Sequence, residues 1–553
     1  MNFTYFYFAS WILLGSACIL TPFIHKKWNR SSYHILIGFI FLANVCMYLP
    51  LTYNHQALFP NSNAFLEAIR LSCKIFFTND DLPKILVALN ASQMHYALLS
   101  LLLHILSPLM MVGWILSFFK TTYAKLQLAL HKNKKTYVFS QYDDYTYLLA
   151  KSIHEHEPKS QIVFTHCKET NQKLSALHAI VISKDVESIA WKQKQVHIFL
   201  MDEESKNLTT ASQLIQQHQA NPNIHVYVFA SGQESEALFS RNILDGMKIR
   251  RIDPIRSSIN QMLYENGHEL FDHAIDHTTI SILIAGLGQW GKAMTKALAW
   301  FGQMDGYTLQ IHILDSNPEQ YEKLKAMCPE LLDASHNNVH IPGEPFYNIQ
   351  FHALDLESYT LNTLLQEIGP ISHAFVFLGQ DDLNIQMATR LRVLFEKQKQ
   401  HPIIQTTVYD VHKVQSIQHM KDYHGNAYDI QLIVDSSNMY SYDTIIASEL
   451  EQEALKRHQR WKQDKDDVRD FWAYEMNYQS SIAAAIHLKM KKHCQIQDVE
   501  CLEHKRWNAY MRSEGYTYGK IRNDLAKVHN DLIPFDQLSE AEKRKDSFVG
   551  TEE

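Results

Sequence analysis

The stretch Ile280–Leu298, "ISILIAGLGQWGKAMTKAL", decides the fold. An apolar run ends in Gly286-x-Gly288-x-x-Gly291 and passes at once into a helical pattern. In that setting the first glycine permits a tight turn, the second lets backbone N–H groups approach a pyrophosphate, and the third lets helix and strand pack closely. The anion would sit at the positive end of the helix dipole. Asp315 closes the next apolar run, "LQIHILDSN", 24 residues after Gly291. It is placed to accept hydrogen bonds from ribose hydroxyls, which favours NAD or an adenine nucleotide over NADP. Trp290 is bulky for such a turn and would either cover the phosphates or block them.

Outward from this turn, "NIQFHALD", "HAFVFLGQDD", "IIQTTVYD" and "IQLIVDSS" alternate with helical patterns. That alternation predicts a parallel sheet with crossover helices, a Rossmann-like nucleotide-binding unit over 278–440. Upstream, "TYVFS", "QIVFTH", "VHIFLM" and "HVYVFA" repeat the order over 135–267. The corresponding turn there, "FSQYDDYTYLLAKSI", has no glycine from Ser140 to Ile153, and Asp143 and Asp144 would face a phosphate with negative charge. This first unit is expected not to bind a dinucleotide and to serve as scaffold and assembly interface.

The whole chain has 553 residues, 46% hydrophobic and 11% aromatic, enough for roughly three to four packed domains and incompatible with a disordered or collagen-like chain. Its net charge of −7 hides an uneven distribution. Lysine, arginine, aspartate and glutamate are absent from Met1 to His25, from Ser31 to Leu66 and from Ile85 to Phe119. Six basic residues against three acidic ones leave Met1–Phe119 at +3 and the remainder at −10. An acidic body of this kind argues against a nucleic-acid partner.

Within 1–120, Phe3–Ile24, Tyr33–Leu51 and about Tyr96–Phe119 are each long and apolar enough for a bilayer core of about 30 Å, which predicts three transmembrane helices. Lys26, Lys27 and Arg30 follow the first, and Lys120, Lys125, Lys132, Lys134 and Lys135 follow the third. The positive-inside rule then puts the N-terminus outside and the C-terminal domains in the cytoplasm, in a multi-pass protein of the cell (inner) membrane. The amphipathic stretch Ala64–Phe77 would lie on the membrane surface or re-enter it, and no "TVGYG"-like filter follows. The seven cysteines form no CxxC pair, and only Cys73 would face the oxidising side, so no disulfide framework is expected.

After the second unit, "SYDTIIASELEQEALKRHQRW" reads as a solvated helical linker over 441–470. A small helical module over 471–546 follows, with "EHKRW" placing Glu503 and Trp507 one turn apart and Arg506 beside them. An aromatic plane with a guanidinium at its side can stack a base and hold a phosphate. The plainer reading is that Trp507, Tyr510 and Tyr516 are core aromatics. The spacing of Cys494, Cys501 and His504 matches no common zinc site, and no metal is expected.

Strand "YVFS", then "LLAKSI", then "IVF", with the later "GLGQWG" unit and "FVFLGQDDLNIQMATRLR", resembles the TrkA-N or RCK regulatory domains of potassium channels and transporters over about Thr136–Val434. The resemblance implies a ligand over the glycine turn, contacted by Gly286, Gly288, Gln289, Trp290, Gly291, Asp315, Asp355, Gly379, Gln380 and Asn384. It also implies pairing of such domains, hence a homo-oligomer, dimer or tetramer. The set Glu503, His504, Arg506, Trp507, Tyr510, then Gly515, Tyr516 and Gly519, then His529, Pro534, Phe535 and Leu538 resembles the RyR domain of ryanodine receptors. That resemblance implies a second adenine-nucleotide site at Glu503, Arg506, Trp507, Tyr510 and Tyr516.

The expected architecture is therefore α/β: a three-helix transmembrane region, two tandem Rossmann-like units and a small all-α RyR-like domain. The expected function is a nucleotide-sensing membrane effector or channel, with a role in anti-phage defence. The alternatives are a regulatory protein of potassium transport and, behind it, a membrane-bound NAD-dependent oxidoreductase. No nucleophile–base pair or compact acid–base cluster follows the glycine turn, so no enzyme activity is expected.

Overall fold

A computed structural model describes residues 3–25, 30–59, 63–77, 81–89, 93–167, 172–218, 221–232, 247–332, 347–434, 436–462, 471–472, 474–496 and 500–550. Lys26 and Lys27, on which the orientation partly rests, and residues 463–470 of the expected linker lie outside them. The chain divides into two compact units, Met1–Leu130 and His131–Glu553.

The first unit is helical: α1 (Phe3–His25), α2 (Arg30–Asn54), α3 (Ala64–Lys74), α4 (Leu82–Ala88) and α5 (Met94–Leu130). Ile40, Ala43, Met47, Leu71, Ile85, Leu99 and Leu103 form its interior. Its exterior is apolar as well, with Phe8, Ile12, Leu42, Leu98, Ile105 and Leu109 exposed. Polar contacts lie inside: the Asn44 side-chain amide donates to the Ser107 hydroxyl at 2.8 Å. Helices that are apolar all round are what hydrocarbon surroundings select. Among the described residues, Ile35–Asn54 and Met94–Val112 are long and apolar enough to cross a membrane by length and composition. The amphipathic stretch forms α3, capped by Asn63, whose side chain accepts from Phe65 and Leu66 N–H. It buries Ala68 and Leu71 and presents Phe65 and Leu66 outward.

The second unit carries two six-stranded parallel sheets. The first is built from β1 (Lys135–Phe139), β2 (Gln161–Phe164), β3 (Ile180–Val181), β4 (Gln195–Leu200), β5 (Ile224–Phe229) and β6 (Lys248–Ile252), with helices α6 (Asp144–His156) and α7 (Glu204–His218) among its crossovers. The helix α8 (Pro254–Asn266) leads to β7 (Thr279–Ala285), α9 (Gln289–Phe301), β8 (Thr308–Asp315), α10 (Glu319–Met327), β9 (Asn348–Ala353), α11 (Thr360–Glu367), β10 (His373–Val376), α12 (Asp381–Lys397), β11 (Ile403–Thr407) and β12 (Ile430–Val434). The orders are β3-β2-β1-β4-β5-β6 and β9-β8-β7-β10-β11-β12. Both are the Rossmann order, in which the sheet reverses direction beside its first strand and leaves a crevice at the strands' carboxyl ends. Ile282, Leu283, Ile284 and Ala285 are buried, as a strand covered on both faces requires.

Two strands escape the sequence reading. β3 is only two residues long, and β6, "KIRRI", reads as charged. The fold sets both arginines of β6 against the C-terminal helices. Arg250 pairs with Glu451 and donates to the Tyr478 hydroxyl at 3.0 Å, and Arg251 lies 3.2 Å from Glu475.

That pairing corrects the linker expectation. Glu449–Lys462 (α13) is packed rather than solvated, with Leu450, Glu451, Ala454, Arg457 and His458 buried. With α14 (Glu475–His493), α15 (Glu500–Ser513) and α16 (Glu540–Gly550) it completes a C-terminal module. The module is not all-α, because Thr517–Tyr518 pairs in parallel with Val528–His529. It is also not separate in its core: Met294, Trp300 and Phe301 of α9 share one hydrophobic cluster with Ile482, Ile486, Met490, Tyr510 and Met511.

At this junction Glu514 is buried, 2.9 Å from Arg256 of α8 and 3.9 Å from Lys296 of α9. Burial works against its charge, but Arg256 and Lys296 outweigh it and hold the carboxyl down at about 2. A lowered folded-state value stabilises above the unfolded value of 4.5 and is lost as pH falls toward about 2. Glu514→Gln is expected to cost about 3 kcal/mol at neutral pH by removing the buried carboxylate that Arg256 and Lys296 face. In thermal melts, the gap to the native protein should close as pH drops from 4.5 toward 2.

Candidate functional site

The turn between β7 and α9 is held by contacts that only glycine allows. Gly286 has φ +98°, and a Cβ there would lie 2.3 Å from the Phe377 carbonyl oxygen. A Cβ on Gly291 would lie 2.0 Å from the Gly286 carbonyl oxygen, so the third glycine is what lets α9 sit against β7. Gly288 differs: a Cβ would meet nothing within 4 Å, because the position opens on empty space.

That space is a cleft of about 640 Å³ at the carboxyl ends of the second sheet. Of the residues expected around a ligand, Gly286, Gly288, Gln289, Trp290, Asp315, Asp355, Gly379 and Asn384 line it. Gly291 lies beneath the turn, and Gln380, at the N-cap of α12, does not line the cleft. Asp315 is already at work on the protein: its carboxylate accepts from Leu287 N–H at 2.6 Å and from Asn317 N–H at 2.8 Å. It clamps the glycine turn to the end of β8, leaving each oxygen a further lone pair for a ribose hydroxyl. Asp355 accepts from Glu357 N–H at 3.0 Å.

Asn384 is buried, and its amide stitches β10 to β11. Its oxygen accepts from Leu378 N–H at 2.6 Å, and its nitrogen donates to the carbonyl and hydroxyl of Thr407 at 2.9 and 3.2 Å. Its amide nitrogen is thus engaged within the protein, and the side chain supports the cleft wall that it lines.

Trp290 neither caps the turn nor points to solvent. Its ring stacks on Phe377 at 5.7 Å between centroids and 23° between planes, and its indole N–H donates to the Tyr409 hydroxyl at 2.8 Å. Burial raises that hydroxyl above its ordinary pKa. Sequence reasoning missed Tyr409, although its place just after the fifth strand of the sheet was a usable signal. It also missed Arg390, which lines the cleft and donates to the Ser358 carbonyl at 2.9 Å.

The first unit's corresponding turn is arranged differently. Asp143 accepts from Thr146 N–H at 2.8 Å and caps α6 with its own carboxylate, at the place where a phosphate would need those donors.

A second cleft, of about 820 Å³, lies in the C-terminal module and is lined by Glu503, Arg506 and Trp507 together with Arg457, Tyr518, Arg522 and His529. Arg506 donates through Nε and Nη2 to Glu503 at 3.0 and 2.7 Å, both side chains being 2% exposed. Its Nη1 is buried and has no hydrogen-bond partner among the described residues. Trp507 stacks on His504 at 5.7 Å and meets His529 edge-on at 5.0 Å. Tyr510 and Tyr516 do not line this cleft. Tyr510 is a core residue whose hydroxyl accepts from Arg256 at 3.4 Å, so the aromatic at the cleft wall is Tyr518 instead.

No family model and no curated protein matches the chain. Among solved structures, GsuK is similar both as a mutant and bound to ADP, with 12% identity and a TM-score of 0.34 over 75% of this chain and 98% of that one. One of the subunits of dipicolinate synthase from Bacillus halodurans is similar at 8% identity and a TM-score of 0.20, over 57% and 94%. With superpositions this loose, the fold rests on the chain's own strand order.

The three glycines should separate on substitution. Gly286→Ala and Gly291→Ala place a methyl group against a backbone oxygen and are expected to cost about 1–3 kcal/mol each or more in thermal melts. Gly288→Ala should melt within about 0.5 kcal/mol of the native protein, as a substitution free of new contacts does.

Proposed function

We propose that this chain is a nucleotide-responsive membrane protein, with its ligand in the cleft over the glycine turn of the second sheet. The observation that carries this reading is the Gly288 position, open to the cleft at the amino end of α9 and clamped from behind by Asp315. Unengaged N–H groups of a first helical turn attract phosphate, and the carboxylates of Asp315 and Asp355 suit ribose hydroxyls. The apolar exterior of the first unit supports residence in the cell membrane, with the acidic remainder in the cytoplasm. Ligand binding then acts on the helical unit in an assembled homo-oligomer and alters the passage of ions, potassium among them. Service in anti-phage defence is one use of such a device, and regulation of potassium transport is another.

The buried Nη1 of Arg506, unpartnered among the described residues, supports a second reading, in which the cleft of the C-terminal module is the sensor. A guanidinium left with an open donor beside an aromatic wall suits a phosphate-bearing ligand.

The test is mass spectrometry of small molecules retained by the full-length protein purified in detergent. Nucleotide should be retained by the native protein and lost from Gly288→Asp, which sets a carboxylate in the cleft, while Trp507→Ala retains it. Loss from Trp507→Ala alone would move the sensor to the second cleft, and no nucleotide in any sample, with no binding on addition of ADP or NAD, would end both readings. In membranes isolated from the expressing cells before detergent is added, the protein should stay with the pellet after alkaline carbonate extraction; release into the supernatant would overturn the membrane reading.

A further inference from the structure

The position of Trp290 bears on the size of the ligand. A Rossmann sheet takes a dinucleotide across its crevice, one nucleoside half over the strands on each side of the reversal point. Here the half marked by Asp315 and Asp355 lies at the ends of β8 and β9, and it is open. The other half belongs to the ends of β10 and β11, where Phe377, Gly379, Thr407 and Tyr409 also line the cleft. That is where the Trp290 ring lies, stacked on Phe377 just past β10 and hydrogen-bonded to Tyr409 just past β11. Trp290 as a whole is 9% exposed, so it is seated in the crevice rather than laid across its mouth.

Three features hold it there. The backbone of Gly286 approaches Phe377 so closely that no side chain fits between them, which fixes the distance from the turn to the stacking ring. The Tyr409 backbone N–H donates to the Asp381 carboxylate at 3.2 Å, anchoring the loop that carries the hydroxyl. Moving the indole aside would also cost the Tyr409 hydroxyl its indole donor.

We infer that the protein's own indole narrows the second half of the crevice, and that the site takes a mononucleotide, a nucleoside di- or triphosphate, in preference to a dinucleotide such as NAD. This rests on the nucleotide reading of the cleft and narrows it. The nucleoside would lie toward Asp315 and Asp355 and the phosphates over Gly288. The chain of phosphates would end short of Trp290, where a dinucleotide would have to continue.

The experiment is calorimetric titration of the full-length protein in detergent with ADP and with NAD, for the native chain, Trp290→Val and Tyr409→Phe. The native protein should bind ADP roughly tenfold or more tightly than NAD. Trp290→Val should narrow that ratio by strengthening NAD more than ADP. Tyr409→Phe, which keeps the ring and loses only the hydroxyl, should narrow it less. Equal affinity of the native protein for ADP and NAD overturns the inference and leaves the nucleotide reading standing. Binding of neither overturns both. If Trp290→Val does not fold, the native ratio and Tyr409→Phe still decide.

Discussion

Everything that α9 does depends on its approach to β7, a distance at which a single methyl group on Gly291 would meet the Gly286 carbonyl oxygen. Because the helix sits so close, its first turn reaches the crevice and its far end reaches the C-terminal helices. One face of the element borders the cleft through Gln289 and Trp290. The opposite end, through Trp300 and Phe301, enters the hydrophobic cluster shared with the C-terminal module. A slightly wider approach would dissolve both relations at once, and the packing of the second sheet against the C-terminal module would have to be rebuilt.

The parts legible in the sequence are those with a local cause. A glycine turn between an apolar run and a helical pattern needs no knowledge of distant residues, and neither do strands as apolar as β7, β8 and β10. The parts that were not legible have distant causes. β6 reads as a charged segment because the partners of Arg250 and Arg251, Glu451, Tyr478 and Glu475, come some two hundred residues later. The same pairing made the helix at Glu449–Lys462 look like a solvated linker, since charges that neutralise one another across a fold look alike in sequence to charges that face water.

The candidate sites show the same division. Spacing brought most of the glycine-turn residues to the cleft, but it could not say that Asn384 would have its donors engaged by Thr407, nor which way Trp290 would turn. In the C-terminal module, Glu503, Arg506 and Trp507 share a helix, so their nearness is local. Tyr510 lies on that helix too, but it turns to Arg256 of a different domain, and the wall position falls to Tyr518 from the short paired strands. The helical unit at the amino end inverts the usual arrangement, with polar contacts such as Asn44 to Ser107 inside and apolar side chains outside. Composition alone had already separated it from the acidic remainder.

The shared core around α9 also bears on modularity. Just past α15, the α-carbon of Gly515 lies so close to the Met327 carbonyl that a Cβ would come within 2.4 Å of it, and Tyr518 N–H donates to Glu330 of the second sheet's domain at 3.0 Å. Cut away at the linker, those helices would carry Ile482, Ile486 and Met490 into water with nothing to cover them. Whatever ancestry this segment has as a portable unit, in this chain it has given up its independence, and recombination could exchange it only together with the sheet against which it is built.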